Sequence, residues 1–220
     1  MDYIIDLLIC VPVVLISLTF HECAHGFIAY KLGDPTAKYM GRLSLNPVRH
    51  IDPIGAICML IFHFGWAKPV PIDTRYFKNP KWGMAISALA GPAANVLLGF
   101  IGCFLYTLSI NFIRVATGSF AYYIAYAWIN FVFFFGWLNI ALALFNLIPL
   151  PPLDGSRIFL IFLPEKSYFA VMKYEREISL GFLILLFLDS RLLGGHITGA
   201  LSTVVYFVFN GFVSLFNLIF

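Results

Sequence analysis

The sequence predicts an all-α polytopic membrane protein of about five to six transmembrane helices, with a Pro-rich re-entrant or β-like segment after the first helix. Three observations predict this. Of the 220 residues, 61% are hydrophobic and only 11% charged, against about 45–50% and about 25% in soluble domains. Such a chain cannot cover its apolar surface in water. Several apolar runs reach the roughly 20 residues that a spanning helix needs. The prolines gather between those runs. Aromatic residues, 24 Phe and 11 Tyr, suit lipid-facing and interfacial positions. No basic run interleaved with aromatics points to nucleic acid.

The first span runs from Ile4 to Lys31, the second from Met84 to Ile113 and the third from Tyr122 to Leu150. A fourth runs from Leu201 to Phe220, with a start as early as Ile197. The stretch Ile178 to Leu188 is apolar but short. It either spans when extended at both ends or packs at an interface. Two regions resist a helical reading. Residues 33–81 carry Pro35, Pro47, Pro53, Pro69, Pro71 and Pro80 around one short apolar run, Ile54 to Phe64. Proline forbids a long helix there, and irregular backbone at membrane depth must be buried in protein or line a wet cavity. Pro149, Pro151 and Pro152 then break the third span ahead of Asp154-Gly155. No repeat or long linker interrupts residues 1–220, which read as a single membrane-embedded domain. Its core is about 10–165, followed by C-terminal helices over 178–220.

Basic residues set the expected orientation. Eight (Lys31, Lys38, Arg42, Arg49, Lys68, Arg75, Lys78, Lys81) lie between the first two spans and one (Arg114) in the next connection. Four (Arg157, Lys166, Lys173, Arg176) follow Asp154, and one (Arg191) lies in the last connection. The alternation puts the N-terminus outside and the two basic regions in the cytoplasm. The N-terminus lacks the positive region of a cleavable signal peptide. Cys10, Cys23, Cys58 and Cys103 form no CxxC pair and read as reduced core residues.

Chemistry enters with His21-Glu22-Cys23-Ala24-His25, an H-E-x-x-H pattern near the C-terminal end of the first span. On a helix, i and i+4 share a face about 6 Å apart along the axis, so His21 and His25 can bind one Zn2+ ion. Glu22 points to an adjacent side, where it can take a proton from water at the metal. The same short pattern occurs by chance, but polar groups at membrane depth mark function by default. A catalytic zinc needs a third protein ligand. The best candidate is Asp154, in Asn146-Leu147-Ile148-Pro149-Leu150-Pro151-Pro152-Leu153-Asp154-Gly155, on the same expected face. The alternative for Asp154 is an N-cap on a helix from Ser156 to Leu163.

This pair of motifs resembles the site-2 protease family of intramembrane zinc metalloproteases. Gly41-Arg42-Leu43-Ser44-Leu45-Asn46-Pro47, His50-Ile51-Asp52-Pro53, Gly65-Trp66-Ala67-Lys68-Pro69-Val70-Pro71 and Ala90-Gly91-Pro92-Ala93-Ala94-Asn95 resemble segments of its compact bacterial and archaeal branch, without a PDZ or CBS domain. The resemblance covers roughly residues 10–165. It implies zinc held by His21, His25 and Asp154, with Glu22 as general base and acid. It also places Asn146 near the site, on substrate or a developing oxyanion. Residues 41–71 would form strand or re-entrant structure beside the cleft, with an edge on which unwound substrate could pair. The implied partners are a transmembrane protein or peptide substrate and the bilayer of a prokaryotic cell. With neither domain, substrate selection would lie in the membrane-embedded core, in gating helices or in a separate regulatory partner.

Rival readings are a metal-handling or transport protein using the same ligands, and a catalytically inactive relative. His50 is expected to hydrogen-bond a turn, His63 to lie at an interface and His196 to be exposed. Gly91 and Asn95, four apart, are expected to serve close helix packing and an interhelical hydrogen bond.

Overall fold

The computed structural model describes residues 2–53, 55, 67–192 and 194–220. The Ile54–Phe64 run (Gly55 aside), His63, Cys58 and the Gly65-Trp66 pair lie outside the described residues. The elements are α1 (Asp2–Lys31), α2 (Thr36–Tyr39), α3 (Pro80–Phe112), α4 (Phe120–Asn146), α5 (Asp154–Leu160), α6 (Glu165–Lys173), α7 (Glu175–Arg191) and α8 (His196–Asn217). Among the described residues four helices are long and apolar enough to cross a membrane: α1 from Leu8, α3, α4 and α8. The 33 residues of α3 rise about 50 Å, more than the roughly 30 Å hydrocarbon core. The protein is therefore an α-helical integral membrane protein. At 17 residues, with Glu175 and Glu177 in its first turn, α7 is shorter and more polar.

Local chemistry sets the helix ends. Asn79 accepts the Trp82 N–H at 3.2 Å and precedes Pro80 at the start of α3, an Asn–Pro helix start. Ser119 accepts the Tyr122 N–H at 3.2 Å and opens α4. That helix stops at Asn146, earlier than the apolar run, because the residue before Pro149 is pushed out of helical geometry. Among its described residues the Pro-rich region forms neither a long helix nor a sheet. Among the described residues its β-like character is a single antiparallel bridge, Ile51 to Ala67, with short 3-10 turns at Pro47–Arg49 and Thr74–Tyr76.

The chain divides into two compact units. One comprises the chain up to Ser17, Asn95–Phe145 and Leu186–Phe220. Its core is Cys103, Ile140, Val205, Phe209 and Phe216. Phe209 packs on Phe133 and Tyr106, and Phe216 on Phe100 and Phe104. A Cβ on Gly102 would lie 2.5 Å from the Gly136 Cα, so the α3 and α4 backbones touch where both residues are glycine. Beside this contact sits a polar clamp. Asn95 Nδ2 donates to Asn139 Oδ1 at 2.8 Å, and Asn139 Nδ2 donates to Ser17 Oγ at 2.8 Å. Ser17 in turn donates to the Val13 carbonyl at 2.7 Å. All three side chains are fully buried. The interhelical bond expected of Asn95 is present. At the start of α8, Asp189 accepts the Ile197 and Thr198 N–H groups, both at 3.1 Å.

The second unit comprises Leu18–Ala94 and Asn146–Leu185. Lys81 Nζ donates to the Leu163 carbonyl at 3.0 Å, and Arg157 pairs with Glu175. These contacts join the start of α3 to the chain after α5, and α5 to the start of α7. Every residue of the site described next belongs to this unit.

Candidate metal centre

The C-terminal half of α1 delivers His21 and His25 from one helical face, and their rings stand at 88° with centroids 4.5 Å apart. Both are buried. Their Nε2 atoms lie 2.9 Å apart. Asp154 Oδ2 lies 3.1 Å from His21 Nε2 and 3.3 Å from His25 Nε2. The first residue of α5, Asp154, is delivered by the turn that follows the prolines. The N-cap of α5 is Leu153, and no side chain caps the helix, so the alternative use of Asp154 as an N-cap does not occur. Gly155 makes the turn possible. A Cβ there would collide with the carbonyls of Leu147 and Ile148.

The protonation pattern bears on what these atoms could hold. His25 Nδ1 lies 2.8 Å from the Ser87 carbonyl of α3. A carbonyl only accepts, so in the neutral ring the proton sits on Nδ1 and Nε2 presents a lone pair. Asp154 Oδ2 is buried and makes no hydrogen bond of acceptable geometry. His25 Nε2 and Asp154 Oδ2 thus direct lone pairs at one point beside His21 Nε2, an arrangement that a cation would stabilise. A tetrahedral zinc with bonds of about 2.0–2.2 Å separates its ligand atoms by roughly 3.3–3.5 Å. The observed 2.9, 3.1 and 3.3 Å fall close to that range. The His21, His25 and Asp154 donors form a group that could hold a metal ion, and the donor set fits Zn2+.

Two neighbours complete the site. Gly91 of α3 faces the rings. A Cβ there would meet His25 Nε2 and Cε1 and would lie 2.6 Å from His21 Cε1. The position expected to serve helix–helix packing therefore makes room for the two imidazoles. Glu22, half-buried, does not join the three donors. Its Oε2 accepts the backbone N–H of Val70 at 2.8 Å. Neither the Val70 amide nor the Ser87 carbonyl was legible in the sequence, since backbone groups carry no residue-type signal. The prolines on both sides of Val70 were the one available hint.

The other expected residues fall as follows. His50 is buried and its Nε2 lies 2.7 Å from the Ser44 carbonyl, the turn contact expected of it. His196 is exposed at the start of α8. Asn146 closes α4, half-buried. Cys10, Cys23 and Cys103 are free thiols.

Comparison with known proteins supplies the family. The model of peptidase family M50 matches residues 9–188. The chain belongs to that family. It is 41% identical over 185 residues to the provisionally named zinc metalloprotease YwhC of Bacillus subtilis, covering 83% of this chain and 80% of that one. It is 33% identical over 147 residues to the provisionally named zinc metalloprotease Rip2 of Mycolicibacterium smegmatis, covering 64% of this chain and 52% of that one. Another relative, the provisionally named zinc metalloprotease MJ0611 of Methanocaldococcus jannaschii, is 32% identical over 145 residues, covering 63% and 62%. No solved structure matches. The protein is an M50 zinc metalloprotease built into a membrane.

Proposed function

We propose that this M50 protease is an intramembrane endopeptidase that cuts transmembrane or membrane-associated protein segments near the cytoplasmic side of a prokaryotic cell membrane. His21, His25 and Asp154 hold one zinc ion, and Glu22 is the general base and acid. Residues 1–220 act as one catalytic domain, with the N-terminus outside. The observation that carries the reading is the convergence of His21 Nε2, His25 Nε2 and Asp154 Oδ2 on one buried point, beside a carboxylate that is not drawn into it.

When bound, zinc acts as a Lewis acid that eases loss of a proton from water. The chain's own residues do the rest. Ser87 fixes the tautomer and tilt of His25. Gly91 keeps the rings unobstructed. Glu22 takes one proton from water as its oxygen adds to the scissile carbonyl carbon. The C–N bond then breaks, and Glu22 returns that proton to the leaving amine. Asn146 hydrogen-bonds extended substrate or the developing oxyanion. A helical substrate hides its carbonyls in hydrogen bonds, so local unwinding precedes cleavage.

Glu22→Gln and Asp154→Ala test the assignment together, in the purified full chain. Glu22→Gln retains zinc and loses about 10²–10⁴-fold or more in cleavage of a labelled transmembrane peptide. Asp154→Ala loses zinc. Full activity in the first variant overturns the base, and unchanged zinc content in the second overturns the ligand.

A further inference from the structure

Residues 68–70 have most of their backbone hydrogen-bonding groups already engaged near the site. Pro69 and Pro71 lack an N–H, so Val70 carries the only backbone donor between Lys68 and Ile72. Glu22 Oε2 takes it at 2.8 Å. The Lys68 N–H donates to the His50 carbonyl at 2.9 Å. On the acceptor side, the Arg42 guanidinium donates to the carbonyls of Lys68 and Pro69, the latter at 3.2 Å, and to that of Arg49. Arg42 is 7% exposed, and its planar fork is used on backbone oxygens rather than on a carboxylate. The far end is tied as firmly. Asp34, fully buried just after α1, accepts the Asp73 N–H on Oδ2 at 2.7 Å and the Thr36 N–H on Oδ1 at 2.9 Å. The Val70 side chain is buried as well, beside Gly26 of α1, where an added Cβ would lie 3.0 Å from Val70 Cγ1.

We propose that residues 68–73 are a positioning strap for Glu22, in which the Val70 N–H fixes one carboxylate oxygen while Arg42 and Asp34 fix the strap. The inference rests on Glu22 being the general base. A glutamate side chain free in a wet cleft samples many rotamers. Binding Oε2 to a fixed backbone donor removes that freedom before substrate arrives and leaves Oε1 for proton transfer. The strap has a second consequence. The Lys68 and Val70 N–H groups, and the carbonyls of Lys68 and Pro69, are spent within the chain. A substrate strand pairing at Val70 would have to take that N–H from Glu22 and so disarm the base. Residues 68–70 therefore hold the base and are not the edge on which a substrate strand adds.

The test replaces Val70 by α-hydroxyvaline, which turns the Pro69–Val70 amide into an ester. The N–H is deleted and the buried side chain kept. Arg42→Lys is the second variant, since an ammonium cannot fork across three carbonyls. The assay uses a fluorophore–quencher transmembrane peptide that the wild-type protein cleaves in detergent, with zinc per chain measured alongside. The ester lowers kcat about tenfold or more, leaves KM within about twofold and leaves zinc content unchanged. Arg42→Lys shows the same split. A role in folding alone would instead lower zinc content and the amount of active enzyme, and a role in pairing with substrate would raise KM. Wild-type kcat in the ester variant overturns the strap, as does a loss confined to KM or matched by lost zinc. Glu22→Gln separates the two levels. If it is inactive while the ester variant has full kcat, the strap alone falls. If it is active, the base assignment falls and the strap with it.

Discussion

Gly91→Ala is the sharpest probe of how the site is built, because it adds one methyl group and replaces no proposed ligand. The added Cβ would sit 2.6 Å from His21 Cε1 and closer still to His25 Cε1 and Nε2. Carbon–carbon contact is comfortable at about 3.5–4.0 Å, so each ring must retreat by roughly 1 Å. His25 cannot retreat freely, since its Nδ1 is held 2.8 Å from the Ser87 carbonyl on the same helix that carries the new methyl. Losing a group that merely orients a ligand costs about 10–100-fold in metal affinity, and moving two ligands together costs at least that. Overpacking adds a destabilisation of about 1–3 kcal/mol.

The assay is zinc content of purified Gly91→Ala after equilibration across a series of buffered free-zinc concentrations, with thermal unfolding of the zinc-free protein in parallel. A half-saturation point raised about tenfold or more is expected. Gly181→Ala is the control: nothing lies within 4 Å of the position a Cβ would take there, so zinc binding is unchanged, and better helix propensity stabilises α7 by up to about 1 kcal/mol. Wild-type zinc affinity in Gly91→Ala would show that the two rings do not depend on the space at Gly91, and the account of the site would fail.

Two further predictions concern the other unit. Asn139→Ala removes the centre of the Ser17–Asn95–Asn139 clamp and takes one hydrogen bond from each of two buried partners. It costs about 1–2 kcal/mol, and Asn95→Ala made on top of it costs less than it does alone; strict additivity in unfolding measurements would show that the three side chains are not one network. Asp189→Ala removes the carboxylate that accepts the Ile197 and Thr198 N–H groups. Hydrogen exchange at those two amides accelerates, while exchange in the middle of α8 does not change; equal protection with and without the carboxylate would refute the cap.

How far the sequence could be read follows from where the information sits. The four long helices were legible because hydropathy acts over about 20 residues and survives local errors. The exact ends were not, since they depend on single capping side chains such as Asn79 and Ser119. His21, His25 and Asp154 were legible because metal binding demands side-chain types, and helical spacing places two of them on one face. Gly91 was visible but misattributed. A glycine in an apolar helix signals close approach without saying of what, and here the approaching groups are two imidazole rings rather than a backbone. Gly102 and Gly136 show the other outcome, backbone against backbone. The Pro-rich region was the hardest to read. Proline says what a segment cannot become, whereas its course is set by a buried guanidinium and a buried carboxylate that grip main-chain atoms. Such contacts leave no periodicity to find.

That division of labour bears on how a protease can keep polar chemistry within a membrane. A charged base and three metal-binding side chains are costly at membrane depth unless each is tied to something. In this chain none of the ties to Glu22 and His25 requires a further ionisable side chain near the metal. His25 is tied by the Ser87 carbonyl, Glu22 by the Val70 amide, and the rings are accommodated by a missing side chain at Gly91. Backbone partners bring no net charge and do not titrate near neutral pH, so they orient His25 and Glu22 without adding charge to be buried. Ionised groups enter one step further out, where Arg42 and Asp34 hold the backbone that holds Glu22. Substitutions at the inner positions should therefore act through geometry and metal affinity, and those at the outer positions through the placement of Glu22.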